Sequence, residues 1–150
     1  MGIGYDTLVH GVYVVATVHE GRRAGLTAAY VTQLSDQYVL ISLGAQSHTR
    51  ELISDSHVFG LTLLAADQVE VARYFGQCSS RQVDKFATVG WHTAETGAPL
   101  LDDGVVALDC RVVQTYDEPS TQCRLFVGKI VVAEALRPTA TPLVFHEDDY

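Results

Sequence analysis

Apolar residues come in short runs along the chain, and most of these runs have the length and composition of β-strands. Residues 11–18 are β-branched and aromatic, and the turn that follows at residues 20–23 contains Gly21, which tolerates a positive φ. The two longest runs are joined by a turn-rich connection at residues 116–120. The other runs predict strands at residues 24–31, 38–43, 58–64, 105–115, 123–136 and 143–145.

Helical segments are short and lie between the predicted strands. Residues 49–56 begin at a pair of hydroxyl side chains, Ser47 and Thr49, and predict a short helix. Asp67 and Glu70 have the spacing of a capping box, which predicts a second helix over residues 67–75 with Asp67 as its N-cap. A further short turn is predicted at residues 84–86.

The number and order of these elements predict the fold class. Six or seven strands with short inserted helices indicate a mainly β fold, a β-barrel with α-helical insertions. Alternating βαβ units would need longer helices, and no G-x-G-x-x-G motif follows the first strand, which argues against a Rossmann fold. Residues 125–132 are apolar on both faces, as expected in a closed barrel or at a subunit interface.

Composition narrows the classes of partner. The 150 residues are enough for one domain with a real core, and the formal net charge of −8 without a basic stripe argues against nucleic acid. No apolar run approaches the roughly 18 residues of a membrane span. The N-terminal sequence lacks the features of a signal peptide, so a cytoplasmic location is expected.

The cysteines and histidines do not have the spacing of a metal site. Cys78, Cys110 and Cys123 form no C-x-x-C pair, and the six histidines include no H-x-x-x-H pair. We therefore expect free thiols rather than a disulfide framework, and no metal site.

One stretch of sequence has the pattern of an anion site. The strand predicted at residues 38–43 ends at Gly44, and Ser47 and Thr49 follow at the start of the helix predicted at residues 49–56. Unpaired backbone N–H groups and the helix dipole favour a phosphate at such a place. The alternative interpretation is that one hydroxyl only caps the helix.

Taken together, the fragments of this chain resemble the flavin reductase-like, FMN-binding split-barrel family. Each fragment is weak alone, but their order and spacing are specific. The matching fragments are residues 11–17, 25–29, 39–43, 47–49, 53–59, 64–68, 84–86, 96–101, 108–113, 126–130 and 142–143.

The resemblance implies a single domain over residues 1–150, a homodimer of split barrels, and FMN or FAD held near the dimer interface. By resemblance, one segment surrounds the flavin, a second holds the ring edge and phosphate, and a third lies near the phosphate or the isoalloxazine. The segment around the flavin corresponds to Thr27, Ala28, Ala29 and Tyr30. The segment at the ring edge and phosphate corresponds to Ser42, Leu43, Ser47, His48 and Thr49. The third segment corresponds to Lys85 and Phe86. For Lys85 the alternative is an exposed surface lysine, and for Tyr30 and Phe86 it is core packing.

This chain departs from the family pattern at two places. Relatives usually carry two prolines in the segment that corresponds to residues 35–40, and none is present here. Relatives often carry Gly-Asp-His where this chain has Thr121, Gln122 and Cys123. In family reductases that histidine is tied to the nicotinamide side of the flavin, so Cys123 is a candidate nicotinamide-side position. Alternatively, Cys123 only packs at the start of a strand.

Three functions are compatible with this sequence. The first is an NAD(P)H-dependent flavin reductase, in which the flavin carries the chemistry and no protein nucleophile is needed. The second is a non-enzymatic FMN electron carrier that receives electrons from another redox protein through an acidic docking face. The third is a flavin-free barrel that serves as a binding module. For a reductase, a redox protein or a monooxygenase is the expected partner.

Overall fold

Strands form most of the fold, and the computed structural model describes residues 2–149. The described residues form nine strands: β1 (Tyr13–His19), β2 (Arg22–Ala28), β3 (Val31–Gln33), β4 (Tyr38–Leu43), β5 (Val58–Leu63), β6 (Trp91–His92), β7 (Leu100–Leu101), β8 (Val106–Glu118) and β9 (Cys123–Ala135). Seven of them form one antiparallel sheet with the order β2-β1-β5-β8-β9-β4-β3, and the sheet curls into a half-barrel. The predicted mainly β barrel with short helices is confirmed.

Two short helices pack on this sheet. They are α1 (His48–Ser56) and α2 (Val69–Gln77), and a single 3₁₀ turn follows at Lys85–Ala87. Within residues 2–149 no helix is long and apolar enough to cross a membrane.

Both faces of β1 are buried, which explains why the first apolar run does not alternate with polar residues. Val15 belongs to one core cluster with Phe59 and Phe126, inside the curl of the sheet. Val14 belongs to a second cluster on the other face, where Phe75 of α2 packs. The site described below lies between α1 and α2, because these helices cover the two faces near the edge strand β2.

Several predicted boundaries agree with the structure. The strand at Tyr38–Leu43 has the predicted bounds, and β5 and β9 each end one residue earlier than predicted. The run at residues 24–31 is divided: β2 ends at Ala28, and a separate short strand begins at Val31.

The predicted cap of the second helix is wrong. Asp67 lies outside α2, and its carboxylate accepts two hydrogen bonds from the guanidinium of Arg137, at 2.8 and 3.0 Å. The helix begins after Gln68, whose side chain accepts a hydrogen bond from the backbone N–H of Ala65 instead. An ion pair across 70 residues of sequence therefore replaced the local capping interaction, and such a partner cannot be predicted from spacing.

The connection between the two longest strands is also shorter than predicted. Strand β8 continues to Glu118, so residues 116–118 are strand rather than turn. The Glu118 carboxylate closes the turn by accepting hydrogen bonds from Ser120 and Thr121, at 2.7 to 3.1 Å. These bonds hold the pKa of Glu118 at about 2, with the Thr121 hydroxyl as the largest cause.

The last predicted strand, residues 143–145, is wrong. Val144 forms only an isolated bridge with Gly11, and the preceding Pro142 forms another with Ala65. Proline cannot donate to a strand ladder, which limits pairing here. The short strands β3, β6 and β7 were not predicted, since two or three residues carry no readable period.

A buried carboxylate joins the loop before β7 to the sheet. Asp109 is fully buried in β8 and accepts the backbone N–H groups of Glu95 and Thr96, both at 2.8 Å, and the Thr96 hydroxyl. A carboxylate that accepts three hydrogen bonds compensates for much of the cost of burying its charge.

Replacing this carboxylate is expected to destabilise the fold. Asp109→Ala should lower the free energy of unfolding by about 3 kcal/mol, because it removes a fully buried side chain and leaves two part-buried N–H groups without their acceptor. Urea unfolding measures this, and Asp103→Ala, at an exposed neighbour, should stay within about 0.5 kcal/mol of wild type. A loss below about 1 kcal/mol for Asp109→Ala would contradict this account of the loop.

Candidate functional site

A polar cavity of about 330 Å³ lies where β2, the start of α1 and the end of α2 meet. Its wall combines the predicted hydroxyls with a loop that follows α2. The residues that line it are Gly25, Leu26, Gln46, Ser47, His48, Thr49, Phe75, Gly76, Gln77, Cys78, Ser79, Ser80, Arg81 and Lys85. Four residues of the predicted site therefore meet in one place: Ser47, His48, Thr49 and Lys85.

The start of α1 presents hydrogen-bond donors to this cavity. Ser47 is the N-cap, and its hydroxyl oxygen accepts the N–H of Arg50 at 3.0 Å. Within residues 2–149 the backbone N–H groups of His48 and Thr49 have no hydrogen-bond partner, and neither does the Thr49 hydroxyl. Ser47 therefore caps the helix, as the alternative interpretation proposed. Its O–H can still donate to a ligand, because a hydroxyl both accepts and donates.

Lys85 is buried and is not the exposed lysine of the alternative interpretation. Only 3% of it is accessible, and its ammonium donates to the backbone carbonyls of Gly25 and Phe75, both at 2.7 Å. Burial lowers the pKa of Lys85 to about 8, an effect that the nearby Cys78 partly offsets. An ammonium group has three donors, so one N–H remains for a ligand in the cavity.

The edge of β2 is closed by the same loop. Gly25 exchanges two hydrogen bonds with the Ser80 hydroxyl, at 3.1 and 3.0 Å. A Cβ at this glycine would lie 2.9 Å from the ring of Phe86 and 3.1 Å from the ring of Phe75, so only glycine fits. The unpaired backbone groups of an edge strand are thus satisfied by side chains of the cavity wall.

Sequence reasoning missed the contribution of the loop at residues 77–84, which it treated as a polar connection. Ser80 braces Gly25, and Arg81 reaches α1, where its guanidinium lies 2.8 Å from a carboxylate oxygen of Glu51. The available signal was the pair of serines followed by an arginine, directly before the predicted turn at residues 84–86.

The segment predicted to surround the flavin lies beside this cavity but does not line it. Thr27 donates its hydroxyl to the carbonyl of Ala72 at 2.6 Å, which attaches β2 to α2. Thr27, Ala28 and Ala29 line a separate cavity of about 120 Å³ together with Gly76 and Phe145. The small alanine side chains leave the backbone accessible to a flat ligand at that point.

Tyr30 and Ser42 lie on the opposite side of that segment. They line an open apolar groove of about 230 Å³ together with His10, Val31, Thr32 and Leu40. Tyr30 is 43% exposed, and its ring meets that of His10 edge to face at 5.4 Å, so the core-packing alternative does not describe it.

Two residues of the predicted flavin site, Leu43 and Phe86, lie in the hydrophobic core. Leu43 is buried with Ile41 and Phe126, and Phe86 packs edge to face against Phe75 at a centroid distance of 5.3 Å. The core-packing alternative therefore describes Phe86. Contact of either residue with a flavin stays a prediction.

Cys123 lies near the groove of Tyr30. Burial raises the pKa of the Tyr30 phenol, and the charges of Tyr5, Cys123 and Glu147 raise it further. Cys123 is only partly buried, and it is the first residue of β9. The next residue, Arg124, pairs with Leu43 of β4, which adjoins Ser42 of the groove, so Cys123 lies at the same end of the sheet as the groove.

Comparison with known proteins finds one matching family model and similar reductases. A family model described as "Flavin reductase like domain" matches residues 5–150. The chain is 35% identical over 125 residues to the FMN reductase (NADH) RutF of Ancylobacter novellus, covering 82% of this chain and 68% of that protein. It is 33% identical over 132 residues to the ferric-chelate reductase (NAD(P)H) of Archaeoglobus fulgidus, covering 85% and 77%.

Solved structures agree in fold. The NADH:FAD oxidoreductase SgcE6 of Streptomyces globisporus superposes with a TM-score of 0.85 at 28% identity, covering 93% of this chain and 83% of that chain. An FMN-binding protein of Thermus thermophilus superposes with a TM-score of 0.89, covering 100% and 89%, and at 21% identity it supports the fold alone. On the family match and these relatives, the chain belongs to the flavin reductase-like domain family.

Proposed function

We propose that this chain is an NAD(P)H-dependent flavin reductase and that residues 1–150 act as one flavin-binding domain. The observation that supports it most is the convergence of Thr49, the free N–H groups of α1 and the Lys85 ammonium on one cavity. Relatives support the same activity, since they include an FMN reductase (NADH) and a ferric-chelate reductase (NAD(P)H).

The residues of the cavity fit the phosphate of a flavin. Two unpaired N–H groups, two hydroxyls and one ammonium donor suit a group with three acceptor oxygens and a negative charge. The helix dipole adds to this attraction at the start of α1. We assign the phosphate to Ser47, His48, Thr49 and Lys85, and the ring to the backbone of Thr27, Ala28 and Ala29.

A flavin held by these residues would supply the redox chemistry, which is hydride transfer from a nicotinamide. The protein binds and orients the two rings and needs no nucleophile. We assign the nicotinamide side to Cys123 and to Tyr30, which lines the apolar groove. In the alternative function, an electron carrier, the thiol of Cys123 replaces a histidine that would favour reduction by free NADH.

A homodimer is part of this proposal. Large apolar side chains remain exposed next to β3 and on β8: Tyr30, Leu34, Val113 and Tyr116 are each 43 to 53% exposed. Monomeric proteins rarely expose contiguous apolar surface of this kind. A second copy that covers these side chains would also cover the groove beside Tyr30, and a stable obligate dimer buries more than roughly 2,000 Å².

We also propose a cytoplasmic location and a monooxygenase partner. All three cysteines are free, as is usual in a reducing compartment. A relative in Mycobacterium tuberculosis, 28% identical over 142 residues, is named the reductase subunit HsaB of a flavin-dependent monooxygenase. The matched region covers 93% of this chain and 74% of that protein.

Removal of the Thr49 hydroxyl is expected to weaken FMN binding. Thr49→Val keeps the size of the side chain and should raise the Kd for FMN about tenfold, by removing one hydrogen bond to a charged phosphate. Titration followed by flavin fluorescence measures the Kd. Thr88→Val, at an exposed threonine, is the control and should bind FMN like wild type. Equal affinity in all three proteins would contradict the phosphate assignment.

FMN affinity is expected to fall as the pH rises above about 8. The pKa of Lys85 in the free protein is about 8. A bound phosphate stabilises the charged ammonium and raises that pKa, so binding takes up a proton above pH 8. Affinity should then decline toward a limit of about tenfold per pH unit.

Riboflavin, which lacks the phosphate, is the matched ligand control for this pH series. Its Kd should stay constant between pH 7 and 9.5, while that of FMN rises. Parallel pH profiles for the two flavins would show that Lys85 does not contact the phosphate.

Cys123→His is expected to accelerate flavin reduction by NADH. An imidazole offers stronger hydrogen bonds than a neutral thiol, and one restored bond corresponds to about a tenfold gain in rate. Anaerobic stopped-flow bleaching of the bound flavin measures the rate, with Cys123→Ser as a control of similar size. Fast reduction in wild type that Cys123→His leaves unchanged would place Cys123 outside the hydride path and argue against the electron carrier.

A further inference from the structure

Of the three cysteines, only Cys78 lines the polar cavity between α1 and α2. It follows directly after α2, and its thiol is free and only partly buried. Cys110 is fully buried, and burial raises its pKa to about 12, whereas Cys123 lines none of the cavities described above. A thiol must be accessible to react, which leaves Cys78 and Cys123 as the two candidates for modification.

The cavity wall around Cys78 is electropositive. Lys85 and Arg81 line the same cavity, and within residues 2–149 no aspartate or glutamate does. The sulfur and the Lys85 ammonium are close enough to interact: burial lowers the pKa of Lys85, and the charge of Cys78 raises it in part. Cationic side chains next to a partly accessible thiol are the usual surroundings of a reactive cysteine.

The wall also contains hydrogen-bond donors without partners. Only 2% of Thr49 is accessible, and in the part of the chain that the structure describes its hydroxyl and the backbone N–H groups of His48 and Thr49 have no partner. Lys85 keeps one N–H after donating to the carbonyls of Gly25 and Phe75. An oxygen atom added to the Cys78 sulfur therefore enters a cavity that lacks acceptors.

We propose that Cys78 is a site of reversible oxidation by hydrogen peroxide and that the oxidised form binds flavin less tightly. The thiolate attacks one oxygen of the peroxide, so that an S–O bond forms, the O–O bond breaks and hydroxide leaves. The sulfur loses two electrons and the peroxide gains them. The product is a sulfenic acid, which is the first and reversible stage of cysteine oxidation.

The sulfenic oxygen competes with a flavin phosphate for the same donors. It places an acceptor next to Lys85, whose remaining N–H is assigned above to the phosphate. This effect depends on the proposed function, because it takes the cavity as the phosphate site. Added volume in a cavity of about 330 Å³ acts in the same direction.

The proposed activity also supplies the oxidant. Reduced flavin that is released into aerated solution passes two electrons and two protons to O₂, which gives hydrogen peroxide. Peroxide therefore accumulates when O₂, rather than the intended acceptor, consumes the reduced flavin. Oxidation of Cys78 then lowers flavin binding, and with it the further production of peroxide.

Trapping with dimedone, which reacts with sulfenic acids, locates the oxidised cysteine. The flavin-free protein is treated with hydrogen peroxide in the presence of dimedone, and mass spectrometry of its peptides assigns the adduct. Cys78 should carry the adduct, and the buried Cys110 should not. An adduct on Cys123 alone, or no adduct, would overturn the proposal.

The effect on binding is measured as the Kd of FMN before and after peroxide treatment without dimedone. In wild type the Kd should rise about tenfold, the equivalent of one hydrogen bond to a charged group, and dithiothreitol should reverse the rise. In Cys78→Ser the treatment should leave the Kd unchanged. Cys123→Ser removes the other partly buried thiol and is the matched control, in which the treatment should act as in wild type.

The variants also show which results contradict the proposal. An unchanged Kd in wild type that carries the oxidised Cys78 would overturn the effect on flavin binding. An equal rise in wild type and Cys78→Ser, or a response lost only in Cys123→Ser, would place the sensitive group elsewhere. If Cys78→Ser fails to fold in a thermal unfolding assay, Cys78→Ala replaces it. If wild type binds no FMN at all, the proposed function fails, while the dimedone adduct still decides whether Cys78 is oxidised.

Discussion

The ammonium of Lys85 is the interaction on which the candidate site depends. It joins the carbonyl of Gly25 on the edge strand to the carbonyl of Phe75 near the end of α2, and so it fixes the distance between the two walls of the cavity. A cation near the C-terminal end of a helix is favourable because the helix dipole is negative there. The same group therefore stabilises the fold and brings a positive charge to the cavity.

The distribution of charged groups explains why an acidic protein can bind an anion in the cavity between α1 and α2. Most of its carboxylates lie on the surface, whereas the cavity wall, within residues 2–149, contains no carboxylate and presents backbone N–H groups, hydroxyls and the Lys85 ammonium. These donors are fixed by the sheet and by both helices, so little reorganisation is needed when a phosphate binds. The local geometry, rather than the net charge of −8, determines what the site attracts.

Sequence patterns predicted the parts of the site that depend on neighbouring residues. The strand that ends at Leu43 and the hydroxyls at the start of α1 were predicted because a strand, a glycine and a cap follow one another within a few residues. The family resemblance added Lys85. Its burial was not predictable, because one of its partners, Gly25, is 60 residues away in sequence. A partner distant in sequence also explains the wrong prediction of Asp67 as a helix cap, because Asp67 pairs with Arg137, 70 residues away. It likewise explains why the contact of Arg81 with Glu51 was missed.

A crystal structure of the protein with bound FMN tests the central claim most directly. The account predicts phosphate oxygens at about 2.7 to 3.2 Å from the Thr49 hydroxyl, the backbone N–H groups of His48 and Thr49, and Nζ of Lys85. Lys85 should keep its bonds to Gly25 and Phe75 in that complex. A phosphate outside this cavity, for example in the groove beside Tyr30, would contradict it.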